Sequence, residues 1–269
     1  MSIWGWVQRQ WSSTSLSGAP APLPATPAII VAAPPAPVSP TALADHIQRA
    51  CALLNGQWPG ALASACTTHG ILTPKNLAAF LSQCLAESGA FALNRESLNY
   101  SVQGLLSTFS RQRISATDAL RLGRKKGEPP LSQDRQMQIA NIIYGGEYGR
   151  RNLGNTQDGD GWAFRGAPML QLTGRDNWTA YSRFANRRLE GLASWLMTPE
   201  GAADNAGWFW RTKGCIALAE ALPSANAQNS LEFEALTRRI NGGTIGLEHR
   251  KEKYALIWEY FRGVGSPTR

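Results

Sequence analysis

Two carboxylic acids stand out first. Glu87 and Glu96 lie nine positions apart in "AESGAFALNRESLNYS", residues 86–101, on either side of a Ser-Gly break. One helix cannot carry both across that break, so each can approach a cleft from its own wall. Glu87 follows Phe80 by seven residues and Cys84 by three, which continues the apolar stripe of the helix that ends there. A carboxyl in that place loses water and meets the negative end of the helix dipole, and both effects raise its pKa. A glutamate kept protonated near neutral pH is what a general acid must be, and cleavage of a glycosidic bond requires a proton on the leaving oxygen. The second carboxyl, in other surroundings, can act as base, and an inverting mechanism would hold the two roughly 6.5–9.5 Å apart with a water between them. Plainer roles fit these residues as well. Glu87 can reach back to water or pair with an arginine, and Glu96 can open a helix ahead of "LNYS".

The element that must deliver Glu87 is written in "LTPKNLAAFLSQCLAESG". Thr73 can cap its start, Pro74 suits the first turn, and Gly89 stands where helices end. Leu77, Phe80, Leu81, Cys84 and Leu85 follow helical spacing as a buried stripe. From about residue 41 onward the pattern is mostly helical. "TALADHIQRACALL" places Ala44, Ile47, Ala50, Cys51 and Leu54 on one face, and "SLEFEALTRRI" reads as another helix. "EHRKEKYALIWEYFR" offers Tyr254, Ile257, Trp258 and Phe261 as a closing core stripe. Short apolar runs such as "MLQLT", residues 169–173, are the strand candidates, so the expected class is mainly α with at most a small β-sheet.

Upstream, residues 18–40 are dominated by Pro and Ala and read as a semi-rigid linker. Trp4, Val7 and Trp11 fall at the spacing of a short amphipathic helix, suited to docking on a membrane surface, a partner protein or the main domain. The expected organisation is a Trp-rich segment over 1–17, the linker over 18–40, and a catalytic domain over 41–269.

With 269 residues, 43% of them hydrophobic, the chain can bury a substantial core. Its net charge of +8 draws it to polyanions without saying which. Ten tryptophans with only 17% charged residues suit a cleft lined with rings more than a highly charged surface. Arg111, Arg113, Arg121, Arg124, Lys125 and Lys126 cluster against Asp118, which reads as a solvated face; no nucleic-acid partner is expected. Cys51, Cys66, Cys84 and Cys215 lie far apart with no CxxC and no histidine at ligand spacing, so free buried thiols are expected and no metal site. No GxSxG elbow, Walker loop, HExxH or Rossmann fingerprint occurs, and no cofactor is expected. "MSIWGWVQRQW" lacks a basic start followed by an apolar run, and "AIIVAA" is too short to span a bilayer. The chain is therefore expected to be made in the cytoplasm without its own export signal.

At "LAESGAFALNRESLNYS", "GNTQDGDGWAFRGAPMLQLTGRDNW" and "INGGTIGLEHR", in that order, the chain resembles glycoside hydrolase family 19, the chitinase-like fold, and within it bacteriophage endolysins and related bacterial muramidases. The resemblance spans about residues 70–260 and leaves the Trp-rich start and the linker outside it. It implies a mainly helical, two-lobed, lysozyme-like domain whose central cleft cuts β-1,4-linked N-acetylated sugar chains with inversion. Glu87 takes the place of the glutamate in the usual "HESGG" and would be the general acid. Glu96, opening "ESLNYS" where endolysins have "ENLNYS", would be the general base. Thr173 in "QLTGRDNW" matches the hydroxyl residue that helps hold the attacking water, and Gln171 points the same way if its segment is extended. Asn241 and Arg250 match cleft residues that contact sugar and steady the acidic pair.

Each of these also has a plain reading. Thr173 can cap the next helix, Gln171 can be buried against backbone, Asn241 can serve the "NGG" turn, and Arg250 can bridge Glu248 or Glu252. Departures from the family pattern are Ala86 for His, Ala90 for the second Gly of "ESGG", and Ala167 and Pro168 for the Arg and Gly of "GRGLIQLT". These imply changes in cleft width, subsite preference or rate, and the missing Arg implies weaker support for the carboxylates.

The function implied is a peptidoglycan-cleaving muramidase of the endolysin type, cutting between N-acetylmuramic acid and N-acetylglucosamine. It would act as a monomer on glycan strands in the periplasm or cell wall, after holin-type release or dedicated secretion. A chitinase is the alternative with the same acid pair, and a non-catalytic envelope-binding or phage structural protein is the alternative from another class.

Overall fold

A computed structural model describes residues 40–51 and 57–264. Expectations for the Trp-rich segment, for the linker up to residue 39 and for Leu54 lie outside the described residues. Among those residues the chain forms fourteen α-helices and one short 3-10 turn. It forms no strand there, only the isolated bridges Ser101–Arg124 and Ala167–Leu172. The first helix, α1 (Pro40–Ala50), begins on the residue that the composition assigned to the end of the linker, a proline suited to a helix's first turn.

α3 (Pro74–Ser88) forms with the caps its sequence announces. The Asn76 amide N–H donates to the Thr73 hydroxyl at 3.2 Å, and Gly89 closes the helix in the left-handed conformation at φ 58°. The apolar stripe is buried, and so are Ala78, Ala79, Ser82 and Gln83 on the other faces. An amphipathic surface helix would expose those faces. Small side chains there let neighbours close in, and α14 (Leu247–Val264) and α12 (Cys215–Glu220) pack against α3. Phe80 meets the Trp210 ring edge-on at 5.3 Å, and the Trp210 indole N–H donates to Asn76 Oδ1 at 3.1 Å, so the buried polar atoms are used.

Two separate apolar cores result. The larger gathers α1, α2 (Trp58–His69), α3, α11 (Pro199–Thr212), α13 (Leu231–Asn241) and α14. Leu43, Ile47 and Cys51 bury the inner face of α1, and Tyr254, Ile257 and Phe261 bury that of α14, with Trp258 packed at the edge. The smaller core joins α4 (Val102–Thr108), α5 (Ala116–Leu122) and α6 (Gln133–Ile143) with Leu98, Phe109, Tyr144 and Leu153. A mainly helical lysozyme-like fold with two lobes is thus present.

Two stretches join the lobes, residues 92–100 and the turn around 163–173. Phe91 sits in the large core and Leu98 in the small one. Arg95 ties the two stretches, its Nη2 donating to the carbonyls of Ala163 at 2.8 Å and Arg165 at 3.0 Å while its guanidinium lies 5.0 Å over Trp178.

The structure corrects one reading and refines another. "MLQLT" is not a strand; the chain turns back on itself, with reciprocal N–H to carbonyl bonds between Ala167 and Leu172 at 3.1 Å and Gln171 at φ 55°. A five-residue run with no neighbouring strand cannot satisfy its backbone in extended form, and the turn does so internally. The basic cluster is not uniformly solvated either. Arg111 donates to the carbonyls of Leu105, Leu106 and Phe109 at the end of α4, and Arg113 is half-buried among rings. Arg121, paired with Asp118 at 2.7 Å, and the exposed Lys125 and Lys126 behave as ordinary surface charges. All four cysteines are free and buried, and burial pushes the Cys51 and Cys215 thiols up to about 12.

Candidate active site

Glu87 occupies the last turn of α3 with its side chain 8% exposed. Facing it from α14 is Arg250, whose Nη2 donates to Glu87 Oε1 at 2.5 Å. Arg250 is therefore turned inward, and Glu248 pairs with Lys251 instead. The guanidinium is aimed by a second bond, since its Nη1 donates to Gln83 Oε1 at 2.5 Å. Gln83 is oriented in turn by its Nε2, which donates to the Thr237 hydroxyl of α13 at 3.0 Å. Four buried side chains on three helices thus fix the direction from which charge reaches Glu87. Removing one partner of a buried ion pair leaves an uncompensated charge, so loss of either Glu87 or Arg250 alone is costly to the fold.

Glu96 lies between the cores, only 5% exposed and in an irregular segment rather than at a helix start. The Tyr144 phenol, from the small core, donates to its Oε1 at 2.5 Å. The Gly166 backbone N–H, between Phe164 and Ala167 of the large core, donates to its Oε2 at 3.1 Å. The Glu96 N–H returns a bond to the Gly166 carbonyl at 2.9 Å. Burial pushes the Glu96 carboxyl above the usual glutamate range, while the Tyr144 and Gly166 bonds and the charges of Arg113 and Arg165 pull it back. Burial and the neighbouring Glu96 hold the Tyr144 phenol far above its ordinary value, so it keeps its proton and remains a donor. Arg113 is set by its Nε, which donates to the Ile143 carbonyl at 2.9 Å, and Arg165 by its Nη1, which donates to the Trp162 carbonyl at 2.8 Å.

Gln171 joins this second group through Gly166. A Cβ added at Gly166 would stand 1.8 Å from Gln171 Oε1 and 3.2 Å from Glu96 Cβ, so glycine is required for the two side chains to come this close. The positive φ of Gln171, not an extended strand, is what turns its side chain to that place. Thr173 donates its hydroxyl to the Gln171 carbonyl at 3.1 Å; it does not cap α9 (Arg175–Phe184), whose start at Gly174 has no side-chain cap bond. Asn241 spends both ends of its amide on its own turn, Nδ2 donating to the Ile245 carbonyl and Oδ1 accepting from the Gly243 N–H, each at 2.9 Å.

The loop that leads into this turn is held by Asp160. Its carboxylate accepts from the Thr156 and Gln157 N–H groups at 3.0 and 2.9 Å and from Arg175 Nε at 2.8 Å. The Gly-rich block that looks irregular in sequence is therefore anchored.

The structure brings Glu87 together with Arg250, and Glu96 with Gln171, to whose carbonyl Thr173 is bonded. Reading the sequence missed Gln83, Tyr144, Gly166, Arg113 and Arg165. Gln83 had a local signal, standing one turn before Glu87 on the same helix. Tyr144 had none, because 48 residues separate it from Glu96. Ala167, where the family pattern has an arginine, is buried in the large core, and Arg113 and Arg165 supply the positive charge felt by Glu96.

Two pockets open in the smaller lobe on either side of Gly145 and Gly146, of about 970 Å³ and about 140 Å³. Neither Glu87 nor Glu96 lines them. No helix among the described residues is long and apolar enough to cross a membrane.

No family model matches the chain. Among curated proteins the chain is similar to one from Haemophilus influenzae described as "Glycosyl hydrolase family 19 domain-containing protein", at 35% identity over 204 residues, which cover 73% of this chain and 86% of the relative.

Proposed function

Because the chain belongs to glycosyl hydrolase family 19, we propose that it is a peptidoglycan-degrading muramidase of the endolysin type, cutting the β-1,4 bond between N-acetylmuramic acid and N-acetylglucosamine with inversion. The observation that carries this reading is that both carboxyls of the motif are buried in unlike settings, Glu87 bonded to a guanidinium and Glu96 to two neutral donors. Two carboxyls in unlike settings can divide the acid and base roles, and which takes which follows the match of Glu87 and Glu96 to the family motif.

Glu87 is the acid. Arg250 grips its Oε1 and leaves Oε2 to carry the proton to the leaving sugar oxygen. Glu96 is the base, which draws a proton from a water as that water attacks the anomeric carbon from the opposite face of the ring. Tyr144 and the Gly166 amide orient the base. Gln171, packed on Gly166, and Thr173, bonded to the Gln171 carbonyl, hold the water. Asn241 shapes the turn before α14, and through it the approach of Arg250. The net charge of +8 favours accumulation on a wall polymer rich in carboxylates, so the site of action is the cell wall.

The test is digestion of purified Gram-negative peptidoglycan by the wild type, Glu87→Gln and Glu96→Gln, with mass spectrometry of the products. New reducing N-acetylmuramic acid ends from the wild type, lost in both variants while their folds persist, are the expected result. Cleavage of chitin alone would make the protein a chitinase, and no cleavage of either polymer would leave a binding protein on a hydrolase fold.

A further inference from the structure

The larger pocket of the smaller lobe, at about 970 Å³, is of the size that encloses organic ligands, and it lies outside the acid pair. Its walls come from the connection between α4 and α5 and from the start of α7 (Gly146–Leu153). They carry charges of both signs, Arg113 and Arg151 against Glu147, with the Tyr148 ring and the amides of Gln112 and Asn152 among them. Arg151 and Glu147 pair with each other at 2.7 Å, but their side chains are 76% and 66% exposed. A pair so well hydrated contributes little and can exchange partners when a charged ligand arrives.

The pocket is also coupled to the base. Arg113 lies 4.1 Å from the Tyr148 ring centroid and 5.5 Å from that of Tyr144, whose phenol binds Glu96. A ligand held here therefore sits against Arg113, which in turn lies over the Tyr144 ring.

A polymer of neutral N-acetylglucosamine gives no use to walls charged with both signs. Peptidoglycan differs from it by the stem peptide on each muramic acid, which carries carboxylates and, at its diamino acid, an ammonium group. Charge complementarity therefore favours the peptide over the sugar as occupant. We propose that this pocket receives the carboxylate-bearing stem peptide beside the cleaved bond, with Arg113 and Arg151 facing its carboxylates and Glu147 its ammonium group. This rests on the peptidoglycan reading above. It makes the pocket the feature that selects a peptide-substituted glycan over chitin.

The experiment uses soluble glycan strands in two forms, with stem peptides intact and with the peptides removed by an amidase, and follows reducing-end release by the full-length protein. The wild type is expected to show a kcat/KM about tenfold higher on peptide-bearing strands, equivalent to about 1.4 kcal/mol. Arg151→Glu and Gln112→Glu add negative charge at exposed wall positions. Each is expected to shrink that preference several-fold, through KM on the peptide-bearing strands. Equal kcat/KM of the wild type on the two strands would overturn the proposal, as would variants that slow both strands in the same proportion. Failure of the wild type to cut either strand would instead remove the peptidoglycan reading, and this proposal with it.

Discussion

At the scale of single residues, Glu96 is a buried carboxyl that costs the fold stability at neutral pH. Burial raises its carboxyl above the usual glutamate range, so the folded protein binds a proton more tightly than the unfolded chain does. Stability associated with that proton is complete below the unfolded value, about pH 4, and is lost as pH rises through the folded value. Glutamine can keep both contacts, its oxygen accepting from the Gly166 N–H and its amide donating to the Tyr144 oxygen. Glu96→Gln is thus expected to unfold at higher urea concentration than the wild type at pH 7, with the gap closing toward pH 4, while turnover is abolished. A wild type equally or more stable at pH 7 would show that the buried carboxylate is fully compensated by its neighbours. The sequence shows Glu87 because a helical period places it on a buried stripe. It says nothing comparable about Glu96, whose surroundings come from Tyr144 and Gly166, residues far away in the chain.

At the scale of elements, α3 was legible to the residue, since Thr73, Pro74 and Gly89 are local signals for a start and a stop. Its enclosure was less so. Ala78, Ala79 and Ser82 look like a weak polar face until α12 and α14 are set against them. Gln83 is the consequential member of that face, because α3, α13 and α14 meet in its amide. Gln83→Leu keeps the volume and removes both bonds, leaving the Arg250 Nη1 and the Thr237 hydroxyl to find other partners. A buried donor left unsatisfied costs about 1–3 kcal/mol, so the denaturation midpoint should fall. The functional expectation is sharper: kcat should drop at least tenfold with KM little changed, because Glu87 is no longer approached by a fixed guanidinium. Unchanged kcat in a destabilised protein would reduce Gln83 to a packing residue. The turn at 167–172 was misread for the opposite reason, since its apolar letters fit a strand and only the absence of a pairing partner decides against one.

At the scale of the whole molecule, two cores were not visible in periodicity, which reports a buried face without naming the neighbour it is buried against. The division follows from which helices meet, and the candidate site lies at the join. Glu96 takes one hydrogen bond from each side of the join, so any drift of one lobe against the other disturbs this carboxyl before it disturbs either core. Arg95 limits that drift. It bonds the carbonyls of Ala163 and Arg165 and covers Trp178, in surroundings that lower its guanidinium to about 10, chiefly through burial. Lysine would keep the charge but not the planar guanidinium that lies over Trp178 while its Nη2 reaches both carbonyls. Arg95→Lys should therefore speed amide hydrogen exchange in the turn over 163–173 while α3 and α6, each inside its own core, exchange as before. Activity should fall in parallel with the loosening of that turn rather than with global stability. Faster exchange spread evenly over both cores would mean that Arg95 supports the fold at large, and the join would then owe its geometry to Glu96, Tyr144 and Gly166 themselves.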